Sequence, residues 1–444
     1  MRLVRRIAIV VLSAILIVLG VGYGLLRGSL PRLDGEIAIA TLSAPVSIER
    51  DSQGVVTITA RNRVDLAYAT GYAHGQDRFF QMDLQRRLAA GELAELLGKD
   101  LVDTDKRFRR HDFRHVARQV VAQATSEQKK ILDAYVAGVN AGRDTLSVRP
   151  FEYLMLQTQP QPWAAEDCVL VAFAMYIDLN DSDGAHELER ARLHAALPQA
   201  VFDLLYPRGT EWDAPMDGVD VSNLHAPIPG ADVIDLRAQP STRSSEKTAD
   251  ADYPGSNNWA IAKDRTTNGA LVANDMHLSF RLPHIWYRAR LVVKSDDASL
   301  ARDLTGVTLP GLPLLVAGSN KHVAWGFTNT HGDYDDLVII ESDAQHPNQY
   351  RNQDKYLEYN LRRERINVRG GAPIEVEYRD TIWGPLVDAT LDDKPLALAW
   401  TAQHPEATNL NQSELERATT VSEALDIANT VGIPVQNLIV ADAQ

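Results

Sequence analysis

The first 28 residues carry the longest hydrophobic pattern in the chain. An uncharged apolar run extends from Ile7 to Leu26, and three arginines precede it, Arg2, Arg5 and Arg6. A run of this length is enough to cross a bilayer as a helix, and its positive flank is expected to stay in the cytoplasm. No convincing small-residue cleavage site follows. The sequence therefore predicts an uncleaved signal anchor over residues 1–28, with a cleaved signal peptide as the alternative.

The hydrophobic pattern then changes from period two to a helical period. Residues 46–58 alternate apolar and polar positions around a turn, which predicts a β-hairpin. Between Asp65 and Leu97 apolar residues recur every three or four positions and Gly98 follows, which predicts a helix in two pieces. Two further helical stretches are predicted, at about 113–146 and from Trp163 through Met175.

The composition changes twice beyond this helical region, which covers residues 29–225. Residues 226–255 are rich in Pro, Ser, Asp and Ala, which indicates a linker. From Ser256 onward, short β-branched runs bounded by turn residues predict a mainly β region over 256–444. Helices, then a linker, then many strands indicate an α+β fold built in layers. A chain of 444 residues leaves open whether this is one large unit or two to three domains.

Charge and cysteine content exclude two classes of protein. The formal net charge is -14, and no cluster of Lys and Arg follows the N-terminus. A nucleic-acid partner is therefore not expected, because binding a polyanion requires clustered cations. Cys168 is the single cysteine, so the chain has neither an internal disulfide nor a Cys-rich metal site.

Ser256 is a candidate nucleophile, although the local pattern alone is a weak signal. It follows Pro254-Gly255 and precedes a strand-like run, so a turn delivers its hydroxyl directly into a strand. A turn serine that satisfies local backbone groups is the more ordinary interpretation of this spacing. A conventional serine hydrolase is not favoured either, because the residues around Ser256 do not form the Gly-x-Ser-x-Gly elbow.

Several blocks along the sequence form a combined motif. The blocks are Arg50-Asp51, Gly54-Val55, Ala73-His74-Gly75-Gln76-Asp77-Arg78, Gly255-Ser256-Asn257-Asn258-Trp259, Asn274-Asp275-Met276-His277-Leu278, Pro283-His284-Ile285-Trp286-Tyr287, Leu309-Pro310-Gly311-Leu312-Pro313 and Ala324-Trp325-Gly326-Phe327-Thr328. Taken together they resemble the penicillin acylase family of N-terminal-nucleophile hydrolases, and the block around Ser256 is similar to the start of the mature β subunit of that family. The resemblance implies an αββα four-layer sandwich, incomplete in this chain. Residues 29–225 would be α-subunit-like, 226–255 a spacer propeptide and 256–444 the first part of a β-subunit-like region.

The resemblance implies a precursor that cleaves itself between Gly255 and Ser256. The Ser256 hydroxyl attacks the Gly255 carbonyl, and the α-amino group that is freed then serves as the base for the same hydroxyl. A glycine before the nucleophile is expected to allow a strained backbone. The two fragments would remain together as a heterodimer and hydrolyse an N-acyl amide, as in penicillins, N-acyl-homoserine lactones or acyl amino acids.

The resemblance also gives roles to His277 and Asn329. His277 matches a position where penicillin G acylases have glutamine and relatives acting on other acyl amides have histidine, so it is expected to orient the Ser256 hydroxyl. A structural histidine is the alternative. Asn329 matches the position whose backbone N–H binds the oxyanion, and an ordinary buried strand is the alternative.

A structural Ca²⁺ is implied by the same resemblance. Glu187, Asp333, Asp336 and the carbonyl of Asp335 would hold it and bridge the two subunits, with hard oxygen ligands that suit calcium. A solvated acidic face is the alternative. No organic cofactor is expected, and the protein is expected on the periplasmic side of the inner membrane, anchored or released.

The family pattern continues beyond the end of this sequence. The missing blocks supply a side-chain asparagine donor to the oxyanion hole and an arginine that supports it. Residues 436–444 resemble a segment that normally runs on into a further strand. The sequence therefore predicts a C-terminally truncated precursor. The alternative function is a catalytically incompetent, membrane-tethered fragment that acts at most as an acyl-ligand binding module.

Overall fold

The computed structural model describes most of the chain. It covers residues 2–210, 226–235, 255–267, 269–278, 280–330, 332–342 and 345–443, together with 212, 213, 215, 218, 219, 221 and 224. The predicted linker over 226–255 lies outside the described residues from 236 to 254. The ten residues before that gap, 226–235, contain neither helix nor strand.

The first half of the chain is helical, as predicted. Its helices are α1 (Arg2–Gly28), α2 (Arg63–Asp77), α3 (Phe79–Ala90), α4 (Leu93–Leu97), α5 (Val102–Arg109), α6 (Phe113–Gln123), α7 (Ser126–Asp144), α8 (Phe151–Met155), α9 (Ala165–Leu179), α10 (Ala185–Ala196) and α11 (Gln199–Leu205). One more helix, α12 (Val421–Ala428), lies near the end of the chain.

The helix predicted in two pieces between Asp65 and Leu97 is in fact three helices, α2 to α4. Gly91 ends α3 in the left-handed region at φ 65°, where its N–H donates to the carbonyls of the preceding turn. A side chain there would collide with the Asp105 carbonyl. The Asp105 carboxylate then accepts the N–H groups of Leu93 and Ala94 at 2.8 and 2.7 Å and starts α4. The break between α3 and α4 therefore depends on Asp105, which lies eleven or more positions after the N–H groups that it caps.

The second half of the chain is mainly sheet, as predicted. Its strands, numbered after β1 (Ser47–Arg50) and β2 (Val56–Ala60), are β3 (Gly255–Ile261), β4 (Leu271–His277), β5 (Tyr287–Val293), β6 (Arg302–Thr308), β7 (Leu315–Ser319), β8 (Val323–Asn329), β9 (Asp335–Ile339), β10 (Gln349–Asn352), β11 (Lys355–Glu358), β12 (Asn360–Ile366), β13 (Ile374–Asp380), β14 (Leu386–Leu391), β15 (Lys394–Trp400) and β16 (Gln436–Asp442).

A seven-stranded sheet joins the two halves. Its order is β1-β2-β5-β6-β7-β8-β16, and every neighbouring pair is antiparallel except β2 with β5. The predicted hairpin of β1 and β2 therefore supplies two strands from the helical half. The structure is a mixed helix and sheet fold, in agreement with the predicted α+β class.

Helix α2 covers one face of the seven-stranded sheet, and α7 packs on α2. Leu66, Ala69 and Ala73 of α2 belong to one buried cluster with apolar residues of β2, β5 and β8. Helix α7 lies against α2 at such short range that a side chain on Gly71 would overlap the Tyr135 carbonyl, and one on Gly138 would overlap that of Tyr68. Glycine at the contact lets the two helices pack backbone to backbone.

The opposite face of β8 holds a separate hairpin made of β3 and β4. Trp325 and Phe327 point into the α2 cluster, and the alternation of side chains along a strand turns Gly326 to the other side. A side chain on Gly326 would meet Asn274 of β4 at 2.8 Å. At β8 the sheet therefore lies between helix α2 on one face and the β3–β4 hairpin on the other.

Helix α1 is exposed along its length. It contains 27 residues, none of them buried, with a mean hydropathy of 2.7 in its most apolar window. Its length and composition suit a membrane span, and a signal sequence near an N-terminus has the same properties.

Candidate active site

The predicted nucleophile lies at the start of the β3–β4 hairpin. Gly255 pairs with His277, Ser256 with Met276 and Asn257 with Asp275 in an uninterrupted antiparallel register. The hairpin therefore brings two of the predicted site residues, Ser256 and His277, to the same end of one ladder.

The Ser256 hydroxyl lies beside the peptide bond that is predicted to break. Its Oγ donates a hydrogen bond to the Gly255 carbonyl oxygen at 2.5 Å. Both residues are only partly buried. The hydroxyl thus contacts the carbonyl oxygen before any cleavage, and attack requires Oγ to turn from that oxygen to the adjacent carbonyl carbon.

His277 faces Gly255 and not the Ser256 hydroxyl. Its Nε2 is 2.9 Å from Asp275 Oδ2, two residues earlier on the same strand face. Its Nδ1 lies 3.4 Å from the position that a Cβ on Gly255 would occupy. Ser256 pairs with Met276, so strand alternation turns its side chain to the opposite face of the hairpin. The structure therefore differs from the expected contact, since no hydrogen bond joins these two described side chains.

Asn274 is a residue of this site that we did not predict from the sequence. Its Nδ2 donates to the Phe327 carbonyl at 2.8 Å, and its Oδ1 accepts the Phe327 N–H at 3.0 Å. The side-chain amide thus makes the two bonds that a neighbouring strand would make with Phe327. Because the partner is the backbone of residue 327, the contact does not depend on the residue type at that position and cannot be predicted from it.

Asn329 is the last residue of β8, two positions beyond Phe327. Its side chain is buried, donates from Nδ2 to the Leu179 carbonyl at 3.0 Å and accepts from Gln436 Nε2 at 3.4 Å. The side chain thus ties β8 to the end of α9 and to β16. The role expected of Asn329 belongs to its main chain, and these contacts leave that expectation as a prediction.

The predicted calcium ligands lie in an acidic region around the start of β9. Burial, and then the negative charges of four neighbouring carboxylates, raises the pKa of Asp335 to about 8; the four are Asp181, Glu187, Asp333 and Asp336. The Oδ2 of Asp335 is buried without a hydrogen-bond partner. The sequence reasoning named the Asp335 carbonyl and missed its side chain and Asp181.

A cation would relieve both features of this region, since it pairs with buried carboxylates that repel one another. The donor set of carboxylates is also the kind that calcium prefers. Across the residues that the structure describes, however, no three His, Cys, Asp or Glu side chains converge as one coordination shell. The carboxylates are therefore near one another and not yet arranged around a common point.

A surface cavity of about 330 Å³ lies elsewhere, beside β9, β10 and the turn between β14 and β15. Its lining residues include Glu341, Arg351, Tyr356 and Lys394. The predicted site residues do not line it. We assign the candidate site from the hairpin geometry and not from this cavity.

Comparison with known proteins identifies the family of this chain. The family model for penicillin amidase matches residues 45–444. Penicillin acylase 2 proenzyme of Pseudomonas sp. strain SE83 is 32% identical over 431 residues, covering 94% of this chain and 53% of that protein. Acyl-homoserine lactone acylase QuiP of Pseudomonas aeruginosa is 29% identical over 440 residues, covering 93% and 50%.

Penicillin G acylase of Escherichia coli is 28% identical over 425 residues, covering 81% of this chain and 49% of that protein. The chain spans about half the length of the curated relatives it matches. The family model nevertheless extends over both halves of the chain, from just before β1 to the last residue. The chain therefore belongs to the penicillin amidase family.

Proposed function

We propose that this chain cleaves its own Gly255–Ser256 bond and serves in an acylase that hydrolyses the amide bond of an N-acyl compound. The observation that carries the proposal is the contact of 2.5 Å between Ser256 Oγ and the Gly255 carbonyl oxygen at the head of the hairpin. Membership of the penicillin amidase family supports the same chemistry.

The cleavage step exchanges an amide for an ester and then for two chain ends. Ser256 Oγ bonds to the Gly255 carbonyl carbon, the bond from that carbon to the Ser256 nitrogen breaks, and the hydroxyl proton passes to that nitrogen. Water then hydrolyses the ester. The products are a Gly255 carboxylate and a Ser256 that carries a free amine and its hydroxyl.

The freed amine supplies the base for the acylase reaction. A neutral α-amino group takes the Ser256 hydroxyl proton while the oxygen attacks the carbonyl of the substrate. The amine of the substrate leaves, and water releases the acid from Ser256. The backbone N–H of Asn329 would stabilise the oxyanion, and His277 would orient groups at the cleavage point.

The proposed substrate class is an N-acyl amide. One relative is named a penicillin acylase and another an acyl-homoserine lactone acylase. Both names describe removal of an acyl group from nitrogen. We extend that shared chemistry to this chain and leave the acyl chain and the amine to experiment.

Calcium would have a structural role in this proposal. Glu187, Asp333, Asp335 and Asp336 would hold it, and its charge would offset the buried Asp335 carboxylate. Helix α1 would anchor the chain in the inner membrane, with the remainder on the periplasmic side.

Intact-mass measurement tests the proposal directly. The folded wild-type chain should give two pieces, residues 1–255 and 256–444, with a new N-terminus at Ser256. Ser256→Ala should leave one uncut species. Ser413→Ala is a matched control, because the Ser413 Oγ also donates to a backbone carbonyl, that of Leu410 at 2.9 Å, and its loss should not prevent cleavage.

Hydrolysis should then be measured on N-acyl-homoserine lactones and on phenylacetyl amides. Release of the free acid by the wild type and not by Ser256→Ala supports the acylase assignment. A folded wild-type chain that stays in one piece would contradict it and favour a tethered fragment without catalysis.

A further inference from the structure

We propose that Asn274 is a positioning residue that holds the nucleophile hairpin in register with β8. The inference rests on the proposed function and assigns a role to a side chain that does not itself react. Asn274 lies on β4, opposite Asn258 in the ladder, and three residues before His277.

The contact between Asn274 and Phe327 has the form of a strand pairing. One side-chain amide satisfies both the N–H and the carbonyl of Phe327, at 3.0 and 2.8 Å. The same Nδ2 is 3.4 Å from the Asn257 carbonyl on β3. Three strands, β3, β4 and β8, therefore meet at this one amide.

Gly326 makes room for the amide. A side chain on Gly326 would stand 2.8 Å from Cβ, Cγ and Oδ1 of Asn274, which is closer than packed atoms approach. Asparagine on one strand and glycine on the other are thus complementary in shape. A longer residue at 274 or any side chain at 326 would push the hairpin away from β8.

The β3–β4 hairpin depends on this pair of hydrogen bonds because it pairs with no other described strand and buries little apolar surface. It forms a sheet of two strands by itself, and an isolated hairpin of this kind is marginally stable in water. Its apolar residues Trp259 and Leu271 are 53% and 54% exposed. Paired backbone groups at Phe327 are therefore a principal link between the hairpin and the larger sheet.

The contact between Asn274 and Phe327 connects the strand that carries Ser256 to the strand that carries Asn329. Ser256 lies two residues before Asn258 on β3, and Asn329 lies two residues after Phe327 on β8. The Asn274 amide therefore sets how the nucleophile is placed relative to the backbone expected to bind the oxyanion. A displacement of 1 Å between reacting groups costs on the order of 100-fold in rate.

Asn140 provides a matched control for the loss of such an amide. Its Nδ2 donates to the Trp163 carbonyl at 2.9 Å, and its Oδ1 accepts the Trp163 N–H at 2.8 Å. The same pair of bonds thus joins α7 to the segment before α9, away from the hairpin. Asn140→Ala should therefore remove an equivalent pair of hydrogen bonds without disturbing the register of Ser256.

The experiment measures the rate of cleavage at Gly255–Ser256 in full-length Asn274→Ala, Asn140→Ala and wild type. We expect at least a tenfold slower rate in Asn274→Ala and the wild-type rate in Asn140→Ala. Asn274→Asp tests the missing donor, since a protonated carboxyl group can donate to the Phe327 carbonyl and an ionised one cannot. Its rate relative to wild type should be higher at pH 4, near the ordinary pKa of an aspartate, than at pH 8.

Hydrogen exchange separates this inference from the proposed function. Asn274→Ala should increase exchange in both 255–261 and 323–329, whereas Asn140→Ala should leave these segments protected. Unchanged exchange there, or equal slowing by the two alanine variants, overturns the positioning role while the proposed function stands. A folded wild-type chain that never cleaves overturns the proposed function, and the positioning role falls with it.

Discussion

His277 stands directly across the β3–β4 ladder from Gly255, and its Nδ1 lies 3.4 Å from the point where a side chain on residue 255 would begin. The distance is that of an ordinary contact. A methyl group therefore fits between the ladder and the imidazole, whereas a branched side chain would displace the ring.

Gly255 is therefore expected to tolerate alanine and to reject valine. Gly255→Ala should fold and cleave within about threefold of the wild type, because the added methyl group meets His277 at contact distance. Gly255→Val should fold and cleave at least tenfold more slowly. Gel time courses on the two variants measure this difference. Equal slowing by both would show that a glycine backbone conformation, and not the space beside His277, governs the step.

His277 and Asp275 are expected to contribute unequally to cleavage. His277→Ala should slow the reaction at least tenfold, because the ring stands across the ladder from Gly255 and would orient groups at the cleavage point. Asp275→Asn should slow it by about fivefold, because the pair at 2.9 Å is solvent-exposed and such pairs are worth up to about 1 kcal/mol. His322→Ala, an exposed histidine before β8, is the control. A wild-type rate in His277→Ala would remove His277 from the site.

The sequence predicted the helices and strands that are determined by the residues within them. The hairpin of β1 and β2 follows from alternation within a dozen residues, and the helical half follows from a three-to-four residue period. The boundary between α3 and α4 was missed because Asp105, well downstream, caps the N–H groups of Leu93 and Ala94. A contact of this kind leaves no mark in a short window of sequence.

The residues of the candidate site also divide into those that sequence motifs indicated and those whose contacts depend on the fold. Ser256 and His277 were found through a resemblance spread over many blocks, since the pattern around Ser256 is otherwise that of a turn. The face that each side chain takes on the hairpin depends on strand register, so the separation of His277 from the Ser256 hydroxyl was not foreseen. The role of Asn274 was not predicted because its partner is the backbone of Phe327, which has no residue-specific signal in the sequence.

Asp335 is expected to make stability fall as pH rises when no calcium is present. Its pKa in the folded chain is about 8, above the ordinary value of 3.8, so between these values the unfolded chain gives up a proton that the folded chain keeps. Stability is therefore highest below pH 4 as far as this group is concerned, and it is lost as pH rises through 8.

Calcium chloride should accordingly raise the thermal midpoint by a few degrees at pH 8 and less at pH 5. Asp335→Asn should raise the metal-free midpoint at pH 8 and abolish the calcium response. Asp264→Asn, an exposed carboxylate on the segment after β3, should change neither. A midpoint that is insensitive to calcium at both pH values would exclude the structural ion.

Helix α1 is expected to keep the chain in the membrane fraction. Its apolar residues are exposed throughout, so the soluble part offers them no burial. Wild-type protein should remain in the pellet after alkaline carbonate extraction, whereas a variant without residues 2–28 should be released. Leu16→Arg places a charge at the middle of the span, which costs about 2.5–3.5 kcal/mol on insertion and should reduce the pellet fraction. Recovery of wild type in the supernatant, with a shortened N-terminus, would identify a cleaved signal instead.

His74 is expected to destabilise the chain on the acid side. It is a fully buried residue of α2, and its Nδ1 is 2.7 Å from the Tyr135 hydroxyl and its Nε2 3.0 Å from Thr308 Oγ1. Burial, and then the charge of Arg78, lowers its pKa from 6.5 to about 3. Between these values the unfolded chain takes up a proton that the folded chain refuses. The contribution to stability is therefore complete above pH 6.5 and is lost as pH falls toward 3.

The size of this effect can be measured with one substitution. Each pH unit in that window corresponds to about 1.4 kcal/mol per group, so the loss from His74 at pH 5 is about 2 kcal/mol. His111 has a pKa of about 3 for the same reason, burial, so His74→Gln should remove only part of the acid-side decline in the urea midpoint. His115→Gln, an exposed control, should leave the decline intact. If His74→Gln also leaves it intact, the buried ring takes up a proton without opening the fold, and its contacts to Tyr135 and Thr308 must rearrange to accept the charge.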